Sequence, residues 1–132
     1  MSEKLTGVVL AHAEVAQAFV AAVQSIAGDD HGLVPVSNNG CDRAALAARI
    51  DQAIAGRSAV VFADMPGGSC AFSAAAFARG KDTVRVVTGV NLAMLLDFAF
   101  HRDLTAGEAA ARAADTGRGS VTVVGGPAGA KG

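Results

Sequence analysis

Two residues in this chain are spaced to act as a pair. His12 ends the apolar run Val8-Val9-Leu10-Ala11, and Asp64 ends a second run, Ala59-Val60-Val61-Phe62-Ala63. Gly67-Gly68-Ser69 follows Asp64 and opens the helical stretch Phe72-Ser73-Ala74-Ala75-Ala76-Phe77. A carboxylate beside an imidazole accepts the Nδ1 proton and fixes the tautomer, which leaves Nε2 with its lone pair outward. Glycines at a helix start offer free backbone N–H groups to an anion, and a serine hydroxyl adds a donor. This set suits reversible phosphorylation of His12. The residues alone leave plainer readings open. His12 could be a loop histidine with a hydrogen-bonded ring, Asp64 a turn cap, and Gly67-Gly68 turn chemistry.

The chemistry depends on elements that bring His12 to Asp64. The spacing predicts a first strand over Leu5 to Ala11, continuously apolar at its end as a strand covered on both faces should be. A helix follows with Val15, Phe19, Val23 and Ile26 recurring at helical spacing, stopped by Gly28. Leu33-Val34-Pro35-Val36 is a second strand whose proline suits a sheet edge. Asp42 caps a second helix with Leu46, Ile50 and Ile54 inward. Ala59 to Ala63 is strand three, and a third helix runs from about Gly68 to Arg79. Val84 to Thr88 is strand four. Asn91 caps a fourth helix, Leu92 to Phe100, apolar nearly all round, with more surface than one sheet face covers. Thr105-Ala106-Gly107-Glu108 fits a capping box that starts a fifth. Ser120 to Val124 reads as a last short strand.

This β-α alternation argues for a doubly wound, three-layer α/β/α fold with a mainly parallel sheet of order 2-1-3-4. Strands one and three are then neighbours about 4.8 Å apart, close enough for His12 to touch Asp64. The short C-terminal strand is expected antiparallel. Residues 1–124 form one domain, and residues 125–132 a flexible tail.

Composition narrows the partners. The chain has 132 residues, 52% hydrophobic and 17% charged, enough for one domain with a real core. A net charge of −1, with neither Trp nor Tyr, gives no reason to expect nucleic acid or an anionic membrane surface. Cys41 and Cys70 are too few for a disulfide framework and match no metal motif. No apolar run reaches membrane-spanning length, and Met1-Ser2-Glu3-Lys4 lacks a signal-peptide layout. A cytoplasmic protein is expected.

Three stretches together resemble the IIA domain of the mannose/sorbose family of the bacterial sugar phosphotransferase system. They are the opening strand ending in His12, Val61-Phe62-Ala63-Asp64-Met65-Pro66-Gly67-Gly68-Ser69, and Val87-Thr88-Gly89-Val90-Asn91-Leu92-Ala93-Met94-Leu95. The likeness covers residues 5 to about 124. It implies a phosphotransferase component that takes a phosphoryl group from the phosphohistidine of HPr and passes it to a IIB component. Carried over by motif, His12 is the phosphoacceptor and Asp64 its orienting partner. Gly67, Gly68 and Ser69 belong to the phosphate-binding loop. No cofactor or metal is expected, and membrane IIC and IID components are expected to be met only indirectly; the resemblance also implies a homodimer, often with the terminal strand exchanged. The chain departs from the family pattern at Ala13, where Gly is usual, at Pro66, at Cys70-Ala71 and at Ala93.

Other readings compete. A regulatory module of an incomplete phosphorelay would keep the same surface and signal by its phosphorylation state. A response-regulator receiver also has an Asp after strand three and a Thr ending strand four, like Asp64 and Thr88. It needs acidic residues after strand one, where this chain has Ala11-His12. A nucleotide-binding module would need a Gly-Lys-Ser/Thr that does not follow Gly67-Gly68-Ser69. Cys70, near a helix start, is expected to be the more reactive thiol, with an inert buried cysteine as the rival reading. Asp29-Asp30-His31 reads as a solvated turn. His101 and Arg102 complement the dipole of the fourth helix, and a docking role for Arg102 stays open.

Overall fold

A computed structural model describes residues 3–128 of the chain. Among the described residues there are four strands and five helices, with strand and helix alternating as predicted as far as α4. They are β1 (Thr6–Ala11), α1 (Val15–Ala27), β2 (Leu33–Ser37), α2 (Arg43–Ile54), β3 (Ala59–Ala63), α3 (Gly68–Ala78), β4 (Val84–Thr88), α4 (Leu92–Ala99) and α5 (Ala106–Gly119). The sheet is parallel throughout, in the order β2-β1-β3-β4. β1 and β3 are central, and every one of their residues is buried. Their unbroken apolar character follows from helices on both faces. Pro35 sits on the edge strand β2, where its missing N–H breaks no inner ladder.

Alternate residues of the sheet feed two cores. Val9, Ala11, Val60, Phe62 and Val87 face α1, α4 and α5. Val8, Leu10, Val61 and Val84 face α2 and α3, with Leu46, Ile50 and Ile54 of α2 inward as predicted. α1 corrects its expected inner row. Ala16, Val20 and Val23 are buried, whereas Val15 and Ile26 are exposed. The helix is turned so that small Ala16 lies against the sheet, and only Val23 of the predicted row is fully inside. The apolar excess of α4 also finds its cover within the chain. Met94, Leu95 and Phe98 are buried, and Leu92, Leu96 and Ala99 pack on the same core between α1 and α5.

Asp42, Asn91 and the Thr105–Glu108 box cap α2, α4 and α5 through the expected bonds to backbone N–H groups. Asn91 does more than cap. Its Nδ2 donates to the Gly117 carbonyl at 3.0 Å, tying the start of α4 to the end of α5. α1 and α3 have no side-chain cap.

The last predicted strand is corrected. Residues 121–126 form no strand, and Val121, Val123 and Val124 are 76%, 93% and 76% exposed. They extend past α5, and among the described residues no strand receives their backbone bonds; a strand alone is not stable in water. Of the expected tail, residues 129–132 lie outside the described residues, as do Met1 and Ser2.

Gly7 marks the tightest point of the larger core. A Cβ there would lie 2.6 Å from both Leu33 Cδ2 and Phe98 Cε2. Phe98 is fully buried and stacks edge-on against Phe62, so its ring has little room to retreat. Gly7→Ala should therefore cost about 1–3 kcal/mol through overpacking. Urea unfolding should show a lower midpoint with an unchanged slope; an unchanged midpoint would contradict the packing described.

Candidate functional site

The register of β1 and β3 delivers the two chemical residues to one place. Leu10 pairs with Ala63, so His12 and Asp64 leave the carboxyl ends of adjacent strands at nearly the same level. The Asp64 backbone N–H donates to the Leu10 carbonyl at 3.2 Å and continues the ladder into the loop. Asp64 Oδ2 then lies 2.7 Å from His12 Nδ1 and also accepts the His12 backbone N–H at 2.9 Å. One carboxylate oxygen holds both the ring and the main chain of the same residue.

The electrostatics follow from this contact. Burial of the Asp64 carboxylate works to raise its pKa. The ring and backbone N–H bonds from His12, with the charge of a protonated ring, outweigh it and hold the group below the ordinary 3.8. Asp64 is therefore an anion at neutral pH, and in its neutral form the His12 ring carries its proton on Nδ1, facing the carboxylate. Among the described residues no hydrogen bond occupies Nε2. The His12 side chain is 43% exposed, so this nitrogen is open to a reactant.

Gly67, Gly68 and Ser69 are exposed at the start of α3, with Gly68 beside the His12 ring. Gly68 adopts φ +90°, and a Cβ added there would lie 3.9 Å from His12 Cε1. The two helices without side-chain caps, α1 and α3, both start at this site, directly after His12 and Asp64. In α1 the Val15 N–H donates to the His12 carbonyl at 3.1 Å, whereas the first N–H groups of α3 are left to water or to an anion.

Sequence reasoning missed the third wall. Ala13 adopts φ +52°, a left-handed conformation that costs a non-glycine residue about 1–2 kcal/mol. Ser37, at the end of β2, donates its hydroxyl to the Ala13 carbonyl at 2.6 Å and accepts the Asn39 N–H at 3.1 Å. Asn38 donates from its backbone to the Ala11 carbonyl and from Nδ2 to Ser69 Oγ at 3.4 Å. This loop carried only turn signals, so its grip on the His12 turn and on Ser69 had no sequence pattern of its own. Next to it, a cleft of about 470 Å³ is lined by Cys41, Arg43, Leu46, Ser69 and Phe72, with the Arg43 guanidinium 4.5 Å above the exposed Phe72 ring.

The remaining candidates are placed elsewhere. His31 is buried and accepts the Leu33 N–H at its Nδ1, a structural role inside its turn. His101 bonds back to Asp97 at the end of α4. Arg102 donates Nε to the Leu5 carbonyl at 2.8 Å and reaches Asp30, with its side chain only 14% exposed. It clamps the opposite end of the sheet, so the open docking role resolves into a structural one. Asp97 is a buried acid that takes Arg112 Nε at 3.2 Å.

Among known proteins, the model of the EIIA-man family, described as PTS system fructose IIA component, matches residues 7–115. A mannose/sorbose specific IIA subunit of the phosphotransferase system from Enterococcus faecalis is 25% identical, with a TM-score of 0.82 over 95% of this chain and 98% of that one. A phosphotransferase system component EIIA from Streptococcus agalactiae has a TM-score of 0.83 at 15% identity, over 90% of this chain and 96% of that one. A sigma-54 interaction domain protein from Enterococcus faecalis shares the fold at 10% identity and a TM-score of 0.69, over 86% of this chain and 90% of that one. No curated protein matches the chain.

The structure reverses the expectation for Cys70. Its side chain is fully buried beneath the His12 ring, with Sγ 3.9 Å from Nδ1. Burial pushes the thiol up to about 11, and the Asp64 charge adds to the effect. The α3 dipole does not overcome these two. Cys41 is partly exposed. Thiol labelling of the native protein at neutral pH should therefore modify Cys41 first and Cys70 only after unfolding. Fast native labelling of Cys70, read by peptide mass, would contradict this assignment.

Proposed function

The chain belongs to the EIIA-man family of phosphotransferase-system IIA components, and from that membership we propose that it is a phosphocarrier in which His12 takes a phosphoryl group from phospho-HPr and gives it to a IIB component. The observation that carries the assignment is the 2.7 Å contact between His12 Nδ1 and Asp64 Oδ2. It supports a neutral ring with Nε2 as nucleophile. The lone pair of Nε2 attacks phosphorus, the N–P bond to the donor histidine breaks, and its electron pair returns to that ring. Phosphorylated His12 keeps its Nδ1 proton and so gains positive charge, which the Asp64 carboxylate offsets. To the N–H groups opening α3 at Gly67, Gly68 and Ser69, with the Ser69 hydroxyl, we assign the role of holding the phosphoryl oxygens, as free donors at a helix start suit an anion. The reverse sequence delivers the group to IIB. No step calls for a cofactor, and no described helix is long and apolar enough to cross a membrane. We take the protein to work in the cytoplasm, with HPr and IIB as direct partners and IIC and IID beyond them. Residues 1–124 act as the IIA domain.

We also propose a homodimer. β4 ends the sheet with an open edge. Beside it a groove of about 520 Å³ is lined by Val86, Thr88, Asn91, Ala114, Gly117 and Val121. The exposed, β-prone Val121-Thr122-Val123-Val124 leaves α5 at this groove and suits pairing with a partner's edge. Light scattering at micromolar concentration should give about twice the 13.1 kDa chain mass. A protein that stays monomeric throughout would remove the dimer.

Incubation with enzyme I, HPr and phosphoenolpyruvate should add one phosphoryl group to the intact mass. The group should be lost in acid and survive in base. His12→Ala should abolish the shift. Asp64→Asn should slow transfer by about 10²-fold or more while retaining the fold. A shift that persists in His12→Ala would place the chemistry elsewhere. Labelling from HPr with no transfer to any IIB component would favour a regulatory module instead.

A further inference from the structure

The site contains a second kind of chemistry. His12 Nδ1, an Asp64 carboxylate oxygen and Cys70 Sγ all lie within 4.8 Å of one another. These are three different donor types, from the ends of β1 and β3 and the first turn of α3. The Nδ1 to Sγ separation is 3.9 Å. Tetrahedral zinc, with bonds of about 2.0–2.3 Å, holds its ligand atoms roughly 3.3–3.8 Å apart. The carboxylate also has capacity to spare, because Asp64 Oδ1 is buried with no hydrogen-bond partner. The 2.7 Å Nδ1–Oδ2 contact is shorter than this ligand spacing, so binding requires the carboxylate to turn, presenting one oxygen to the ion while the other keeps the His12 backbone N–H. Imidazole, thiolate and carboxylate together suit a borderline-soft divalent ion and not magnesium or calcium.

We propose that His12, Asp64 and Cys70 form a zinc site that shares its histidine with the phosphorylation chemistry. Three protein ligands leave a fourth position for water. Binding takes the Nδ1 lone pair, so the ring proton moves to Nε2. It also ionises Cys70, so each ion bound at neutral pH releases one proton to solvent. An imidazole protonated on Nε2 has no lone pair there and cannot attack phosphorus. Zinc occupancy therefore switches off phosphoryl acceptance. That consequence rests on the phosphocarrier reading, whereas the zinc site itself does not.

The tag-free chain, reduced without a thiol, is titrated with Zn²⁺ by calorimetry in buffers of differing ionisation enthalpy. One ion per chain and one proton released are expected. Co²⁺ should give a near-ultraviolet thiolate charge-transfer band that Cys70→Ser removes and Cys41→Ser leaves intact. Cys70→Ser and His12→Gln should each weaken zinc binding by more than about tenfold. His12→Gln changes a half-exposed side chain and decides the matter if Cys70→Ser does not fold. Absence of binding, a band that survives Cys70→Ser, or unaltered affinity in His12→Gln would overturn the site. Labelling by phospho-HPr should proceed in chelator and stop with one equivalent of zinc. Zinc binding with no labelling in chelator would overturn the phosphocarrier reading and leave the metal site standing. Labelling undiminished by bound zinc would overturn the switch.

Discussion

The hydrogen-bonded contact between Asp64 and His12 is the constraint on which the site depends. It exists because two buried parallel strands lie side by side and end at the same level. Each strand end then carries one half of an acid–base pair into a place too wet to be core and too enclosed to be free loop. Burial alone would raise the carboxyl group's pKa. The two N–H donors of His12 reverse that tendency and keep the charge in place. The same charge fixes the ring proton on the inner nitrogen and turns the outer one to solvent. The chemistry at the surface is thus set by a contact beneath it.

The helices divide their labour accordingly. α2, α4 and α5 satisfy their starting N–H groups with side chains. α1 and α3, which start at the site, do not. A helix end left uncapped forgoes about 1 kcal/mol of local stability. At the far end of the sheet Arg102 fastens the chain to Leu5 and Asp30. One pole is closed and the other is kept open.

Much of this was legible in the sequence. The continuous apolar runs of β1 and β3 announce covered strands, Pro35 announces an edge, and Asp42, Asn91 and Thr105 announce caps. Each signal is local and has one dominant cause. The failures are of another kind. Val15 and Ile26 fit a helical row but lie outside it, because which side of α1 meets the sheet depends on the bulk across from it. Val121 to Val124 has strand composition, yet a strand is a property of a pair and the partner edge lies outside the segment. Cys70 looks activated by its helix start until its burial under a charged carboxylate is known. The grip of Ser37 on the Ala13 turn joins residues 24 apart in sequence through a loop that reads as spacer.

The doubly used oxygen of Asp64 has one further consequence. Its bond to the main-chain N–H of His12 does not depend on what the imidazole is doing. Protonation or alkylation of the ring touches no atom of that bond, so the carboxylate is held by the backbone as well as by the side chain. The main chain at residue 12 and the carboxylate are thus tied together by a bond that uses no ring atom.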